Sequence, residues 1–237
     1  MVAVIPMAGR GSRYANEGFA IPKPLIEVGG KPMVCWALKS LEGLPVSRYV
    51  VILLREHEEQ FGVKALLKDQ LGNNVSYVML DAVTDGQLCT VLAAKEFLLP
   101  QEDVLIAASD TWVQGHIGKD IEQVEFQGLI SVADLPGGQW SFARTDESGR
   151  VVEVAEKVRI SEHASTGLYY FKQAADLILF GEDMIGKQEK TQGEYYVIPV
   201  YQKMIDAGLS IGISRATAMW DMGTPEAKHA FEKYLAT

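Results

Sequence analysis

Residue types that signal particular classes of protein are scarce in this sequence. Only two of its 237 residues are cysteine. Cys35 and Cys89 both lie in apolar surroundings, so we expect buried, reduced thiols and no disulfide framework. The four histidines are scattered, without the short spacing that predicts a metal-binding motif. No pattern of serine and histidine indicates a catalytic triad.

Positive charge and long apolar runs are scarce as well. The chain has 22 Lys and Arg against 31 Asp and Glu, and its formal net charge of −9 argues against a nucleic-acid-binding surface. No apolar run approaches the length of a membrane span, and the N-terminus lacks the basic region of a signal peptide. We therefore expect a cytoplasmic protein without nucleic-acid or membrane partners; whether it forms a homo-oligomer is left open.

What the sequence does have is an alternation of strand-like and helix-like segments through its first 110 residues. Short β-branched runs predict buried strands, and apolar residues at helical spacing predict helices between them. This alternation predicts an α/β fold, a doubly wound, Rossmann-like mixed sheet with helices on both faces. The predicted strands are 2–7, 49–54, 75–80 and 103–108, and the predicted helices are 32–42, 57–71 and 88–98.

The second half of the chain has a different pattern. Two strand-like runs, 140–144 and 151–157, flank a polar turn and predict a hairpin. We expect a smaller α+β lobe that completes the same sheet, within one domain over residues 1–237. Its other predicted strands are 128–134, 167–171 and 210–214, and its predicted helices are 174–179, 196–207 and 224–234.

A glycine turn follows the first predicted strand. Gly9 and Gly11 lack Cβ atoms where the backbone must turn sharply and lie against a ligand. Successive N–H groups in such a turn form an anion-binding concavity, and three basic residues follow within fifteen positions. The turn is not a P-loop, because no Gly-Lys-Ser/Thr follows, and it is not a dinucleotide fingerprint, because Tyr14 stands where the third glycine belongs. It predicts a polyphosphate cradle, with an ordinary glycine turn as the alternative.

Lys23 lies between two prolines, which predicts a stiff, extended segment that holds the lysine in place. Asp110 closes a buried strand at the sheet edge where ligands gather, and a carboxylate there can hold Mg²⁺. The alternative is that it caps the turn before Thr111. Asp221 is an acid in an otherwise apolar stretch, so it needs a partner such as a metal ion.

These segments resemble the motifs of the sugar-1-phosphate nucleotidyltransferases, also called nucleotide-sugar pyrophosphorylases. The early motif is Gly9-x-Gly11-x-Arg13 followed by Pro22-Lys23-Pro24-Leu25, and the late motif is Trp-Asp-x-Gly-Thr-Pro-Glu over 220–226. The resemblance covers nearly the whole chain. It implies a nucleotide-binding half at about 1–125 and an acceptor-binding half, the substrate lobe, at about 126–237.

The resemblance also implies roles for individual residues. A nucleoside triphosphate would lie on the glycine turn with Arg13 and Lys23 on its phosphates, and Asp110 and Asp221 would hold Mg²⁺. The Gln87 amide could read a base edge, with a solvent-facing helix start as the alternative. The residues implied to bind the nucleotide are Ala8, Gly9, Gly11, Ser12, Gly86 and Gln87.

The acceptor would be bound from the second half. The resemblance implies that Glu156 contacts sugar hydroxyls, Lys157 the acceptor phosphate and Gly167 the sugar. Two positions depart from the family pattern. Val158 replaces a proline, and Trp140-Ser141 stands where an aromatic–glycine pair is expected, which weakens the case for an ordinary hexose.

The implied function is transfer of a nucleoside monophosphate from a nucleoside triphosphate to a sugar phosphate, releasing pyrophosphate and forming an NDP-sugar. The acceptor phosphate is already ionised at neutral pH, so the reaction needs positioning and charge compensation and no general base. Three alternatives stay open: a cytidylyltransferase acting on a polyol or choline phosphate, a Rossmann-type oxidoreductase, and a catalytically silent nucleotide-binding protein. Polysaccharide precursor synthesis is a role that the family suggests. The sequence determines neither the base nor the acceptor.

Overall fold

A computed structural model describes residues 1–123 and 125–237. The strands are β1 (Val2–Pro6), β2 (Glu27–Val28), β3 (Lys31–Pro32), β4 (Arg48–Leu54), β5 (Val75–Leu80), β6 (Val104–Ala107), β7 (Thr111–Gly115), β8 (Gly128–Asp134), β9 (Ser141–Thr145), β10 (Val151–Glu156), β11 (His163–Phe171) and β12 (Ile211–Asp221). The helices are α1 (Ser12–Asn16), α2 (Met33–Leu38), α3 (Arg55–Phe61), α4 (Val63–Leu71), α5 (Gln87–Leu92), α6 (Ile117–Gln123), α7 (Ala174–Gly186), α8 (Ile198–Asp206) and α9 (Pro225–Leu235). In these ranges no helix is long and apolar enough to cross a bilayer.

The main sheet has ten strands within the described residues. Eight follow the order β5-β4-β1-β6-β11-β8-β12-β7, and the β9–β10 hairpin joins through β9 to β11. Strands β5, β4, β1 and β6 are parallel, whereas β11 is antiparallel to both β6 and β8. Strands from both sides of residue 125 are therefore hydrogen-bonded in one mixed sheet. Its division into a nucleotide half and an acceptor half stays a prediction.

Helices cover both faces of this sheet, as predicted. Val2 and Val4 of β1 pack into one apolar cluster with α5, α7 and α8. Ala3 and Ile5 point the other way, into a second cluster with α2 and α4. All four side chains are at most 1% exposed, which explains why β1 has no polar alternation.

Several predicted boundaries were wrong. The single helix predicted at 57–71 is two helices, because Gly62 adopts a left-handed φ of 61° and ends α3. The helix predicted at 88–98 ends at Leu92, and a 3-10 turn follows at Lys95–Phe97. Strand β7 and helix α6 were not predicted. The strand predicted at 210–214 continues to Asp221, because its second part pairs with β7.

Candidate active site

A cavity of about 560 Å³ opens beside the carboxyl ends of β1 and β6. Ligands of open α/β sheets collect at this edge, because the helices and loops that follow the strands converge there. The structure thus brings together the glycine turn, the predicted base-recognition segment and the first predicted metal ligand. The predicted residues that line the cavity are Ala8, Gly9, Gly11, Ser12, Lys23, Gly86, Gln87 and Asp110.

The two glycines of the turn are explained by different physical features. Gly11 begins α1 with a left-handed φ of 62°, and a Cβ there would lie 2.7 Å from Cβ of Lys23. Backbone conformation and packing both require it. A Cβ on Gly9 would meet no heavy atom within 4 Å. Gly9 lines the cavity, so the absence of neighbours leaves its backbone open to a ligand.

The backbone at Lys23 is not extended, contrary to the prediction. It begins a 3-10 turn, Lys23–Leu25, in which the N–H of Leu25 donates to the carbonyl of Pro22 over 2.8 Å. These turn bonds outweigh the extended preference of a residue before proline. The Lys23 ammonium donates to a carboxylate oxygen of Asp110 over 2.5 Å, and both side chains are about one-fifth exposed.

Asp110 and Asp221 meet because of strand pairing. In the antiparallel ladder of β7 and β12, Asp221 pairs with Thr111, and the N–H of Met222 donates to the Asp110 carbonyl over 2.8 Å. A Cβ on Gly223 would lie 3.0 Å from one Asp221 carboxylate oxygen and 3.3 Å from one Asp110 carboxylate oxygen. The two carboxylates therefore converge on one place.

The pKa values of the two acids shift in opposite directions. Burial raises the pKa of Asp110, but the charge and hydrogen bond of Lys23 outweigh it, so its net pKa is lowered. Burial, followed by the negative charge of Asp110, raises the pKa of Asp221 to about 6. The hydrogen bond from the Gly223 N–H and the charges of Lys23 and Arg13 oppose that rise.

This donor set fits Mg²⁺. Among the described residues no group of three or more His, Cys, Asp and Glu side chains could hold a metal ion. Mg²⁺ does not need one, because it is usually bound by one or two carboxylates with substrate phosphates and waters. Two like charges, partly removed from water, gain from a cation between them. The role of Asp110 and Asp221 as ligands stays a prediction.

Lys157 lies on the second side of the cleft, outside the cavity lining. Its backbone has a left-handed φ of 56°, rare for a residue with a Cβ, and its N–H donates to the Trp140 carbonyl over 2.9 Å. Its ammonium donates to the Tyr196 hydroxyl and lies 4.6 Å from the centre of that ring. Because Tyr196 lines the cavity together with Glu194, it connects Lys157 to the cleft.

The other two predicted acceptor residues already have partners in the protein. Glu156 is buried, accepts a hydrogen bond from the Ser141 hydroxyl and has its pKa raised by burial. Gly167 has a φ of 85°, and a Cβ there would lie 2.8 Å from Cβ of Ala108, which lines the cavity. Packing behind the cavity wall thus explains this glycine; its predicted contact with the acceptor stays a prediction.

The base-recognition segment is joined to the segment that carries Glu194 and Tyr196. The N–H of Tyr195 donates to Asp85 over 2.8 Å, and the N–H of Leu88 donates to Tyr195 over 3.0 Å. A Cβ on Gly86 would lie 2.5 Å from the Tyr195 carbonyl oxygen, so only glycine fits this approach. The two sides of the cleft are therefore connected by main-chain bonds.

Glu194 and Tyr196 were not assigned to the site from the sequence, although both line the cavity. The available signal was the segment from Gly193 to Tyr196, which resembles family sequences near the sugar site, although less specifically than the other motifs. Nothing in its spacing indicated that it would return to the carboxyl edge of the sheet beside Gly86.

Comparisons with known proteins agree with this geometry. The model of the family described as "Nucleotidyl transferase" matches residues 2–235. "Bifunctional protein GlmU" of Caldanaerobacter subterraneus subsp. tengcongensis is 29% identical over 230 residues, which cover 90% of this chain and 46% of that protein. The protein of the same name from Thermotoga sp. (strain RQ2) is 30% identical over 206 residues, 83% of this chain and 43% of that protein. The chain spans less than half the length of these relatives.

Solved structures show the same fold. The nucleoside-diphosphate-sugar pyrophosphorylase from Vibrio cholerae RC9 is 26% identical with a TM-score of 0.88, covering 98% of this chain and 100% of that one. The inositol-1-phosphate CTP transferase from T. maritima has a TM-score of 0.78 at 15% identity, covering 99% of this chain and 94% of that one. At that identity the likeness concerns the fold alone.

Proposed function

Because the chain belongs to the nucleotidyl transferase family, we propose that it transfers a nucleoside monophosphate from a nucleoside triphosphate to a sugar phosphate. Pyrophosphate is released and an NDP-sugar is formed. The observation that carries this proposal is the meeting of the glycine turn, Lys23 and Asp110 at one cleft, with the Asp221 carboxylate beside that of Asp110. That set matches the needs of phosphoryl chemistry, which are charge compensation and positioning.

The nucleotide side of the cleft would bind the triphosphate. The N–H groups of residues 8–12 offer donors to phosphate oxygens, and Lys23 is close enough to exchange its bond to Asp110 for one to a phosphate. Arg13, on α1 directly after the turn, would add a second positive charge. An acceptor phosphate oxygen attacks the α-phosphorus, a new P–O bond forms, and the bond to pyrophosphate breaks.

We propose that the enzyme uses Mg²⁺ held by Asp110 and Asp221. When bound, the ion supplies positive charge that offsets the charge of the reacting phosphates. The chain's own contribution is to hold both carboxylates at one place through the β7–β12 ladder. Before substrate binds, Lys23 donates to Asp110 and keeps that carboxylate ionised and oriented.

The acceptor would be bound from β10 and the segment after α7. Lys157, held by Tyr196, would contact the acceptor phosphate. Glu156 would contact acceptor hydroxyls with the carboxylate oxygen that Ser141 leaves available. Gly167, which packs on Ala108 of the cavity wall, would contact the acceptor.

The oxidoreductase alternative is disfavoured. Tyr14, at the place of the third glycine of a dinucleotide fingerprint, is 1% exposed and packs among apolar side chains, so the helix start is not shaped for a dinucleotide. The family match argues the same way.

The test is a grid of ATP, CTP, GTP, UTP and dTTP against sugar 1-phosphates, polyol phosphates and choline phosphate, scored by pyrophosphate release and by mass of the product. We expect release only with a triphosphate, an acceptor and Mg²⁺ together, and a sugar-bearing product. A product that carries a polyol or choline would replace the proposed acceptor class. If no combination of triphosphate and acceptor releases pyrophosphate, the result would support a catalytically silent nucleotide-binding protein and overturn the proposal.

A further inference from the structure

We propose that Tyr14 is a positioning residue of this site, which orients the Asp221 carboxylate through one peptide group and fixes the helix that carries Arg13. The inference rests on the proposed function for the roles of Asp221 and Arg13. Tyr14 is fully buried and does not line the cavity, so it acts through other groups and not by touching substrate.

The hydroxyl of Tyr14 bonds to the turn after β12. It lies 2.6 Å from the carbonyl oxygen of Met222 and 2.9 Å from that of Thr224. A hydroxyl has one proton to donate, and the shorter contact assigns it to Met222. These contacts join segments at opposite ends of the chain.

The same peptide group holds the Asp221 carboxylate. Its carbonyl, from Met222, accepts from Tyr14, and its N–H, from Gly223, donates to a carboxylate oxygen of Asp221 over 2.9 Å. Because a peptide group is planar, fixing its carbonyl fixes the direction of its N–H. Hydrogen bonds in series also polarise one another, which strengthens the bond to the carboxylate. Tyr14 therefore determines where Asp221 points.

Tyr14 also anchors α1 to the turn after β12. Helix α1 has five residues, no side-chain cap at its start, and Tyr14 as its only buried residue. The neighbouring Arg13 is exposed, and its position relative to Asp221 is set through Tyr14. One hydroxyl thus links the predicted phosphate-binding arginine to the second predicted metal ligand.

The test compares Tyr14→Phe with Tyr201→Phe. Tyr201 is a matched control, because it is also fully buried and its hydroxyl donates to a main-chain carbonyl, that of Tyr170, over 2.8 Å. Each variant keeps its ring and loses one buried hydroxyl, so both should lower the melting temperature. The readouts are Mn²⁺ affinity by electron paramagnetic resonance, with and without a non-hydrolysable triphosphate, and kcat and KM.

We expect Tyr14→Phe to weaken Mn²⁺ binding and to lower kcat about tenfold each, the change that loss of one orienting hydrogen bond produces. Tyr201→Phe should leave both at the wild-type level. Placing 4-aminophenylalanine at position 14, which restores a donor, should restore Mn²⁺ affinity. Equal Mn²⁺ affinity in the two phenylalanine variants, or no rescue by the amine, would overturn the proposal.

The inference and the proposed function can fail separately. If the wild-type chain binds Mn²⁺ but releases no pyrophosphate with any substrate pair, the function fails and the Mn²⁺ titration still decides the role of Tyr14. If the wild-type chain releases pyrophosphate and Tyr14→Phe matches Tyr201→Phe, the role of Tyr14 fails alone. Absence of Mn²⁺ binding by a wild-type chain that releases pyrophosphate would overturn the metal assignment and the role of Tyr14, and would leave the transfer reaction standing.

Discussion

The two sides of the cleft differ in the groups that they present to a ligand. The side predicted to bind the nucleotide contains two glycine-containing turns, where Gly9 leaves open space and Gly86 lies against the Tyr195 backbone. The side predicted to bind the acceptor consists of side chains that already have partners, Lys157 with Tyr196 and Glu156 with Ser141. A ligand on the first side meets fixed N–H groups, whereas a ligand on the second must share or displace existing bonds.

This difference indicates where specificity resides. Main-chain donors are already ordered, so they bind the phosphates common to all triphosphates at little entropic cost. Side-chain pairs can change by substitution of one residue at a time, so a few residues would determine which acceptor binds. Changes on the nucleotide side should therefore affect every substrate pair, and changes on the acceptor side should affect one KM.

The largest effect is expected for the two acids that both sides share. Asp110→Asn and Asp221→Asn should each lower kcat on the order of 100- to 1,000-fold, because charge compensation at the reacting phosphates is lost. Asp221→Asn removes one of two like charges that converge, so its melting temperature should not fall. Asp120→Asn, whose carboxylate accepts from Ser214, is the control and should keep wild-type kcat. Turnover near the wild-type level in both active-site variants would refute the metal assignment.

The next effect separates the two glycines of the turn. Gly9→Ala should raise the KM for the triphosphate about tenfold, because its methyl group enters the cavity where phosphate would lie, with little change in melting temperature. Gly11→Ala should lower the melting temperature, because its φ of 62° and the 2.7 Å approach to Lys23 exclude a methyl group. Calorimetry and initial-rate kinetics on both variants test this; equal destabilisation would contradict it.

A smaller and more selective effect is expected at Lys157. Lys157→Met should raise the KM for the acceptor about tenfold and leave the KM for the triphosphate unchanged, because one charge-assisted bond to the acceptor phosphate is lost. Lys64→Met is the matched control, since Lys64 also stacks on a tyrosine, 5.4 Å from the Tyr77 ring centre, outside the cavity lining. A rise in both KM values would show that Lys157 does not belong to the acceptor side alone.

The smallest effect concerns stability and pH. Burial raises the pKa of Glu156 in the folded protein above its unfolded value, so folding favours the protonated form. The contribution of Glu156 to stability is therefore lost as pH rises from the unfolded pKa through the folded pKa. The melting temperature of Glu156→Gln relative to wild type should rise across that acidic interval and level off above it. Glu153→Gln, on the same strand but more exposed, is the control for the charge change.

Much of this molecule follows from short-range patterns. The β-branched runs predicted β1, β4 and β5, and the glycine and acidic motifs predicted a family that the match over residues 2–235 confirms. Gly62 was missed because the apolar spacing of a helix continues through it. The bonds of Tyr196 to Lys157 and of Tyr14 to Met222 join distant segments, and no local pattern specifies such pairing.

One residue pair in the β7–β12 ladder limits how the sequence of this protein can diverge. Asp110 and Asp221 lie far apart along the chain, yet the β7–β12 register makes Asp221 the partner of Thr111, next to Asp110. A slip of one residue would turn Asp221 to the opposite face of the sheet. Insertions in the loops between these strands leave this pairing unchanged. Evolution can therefore change the length and sequence of those loops while the two acids keep their spacing.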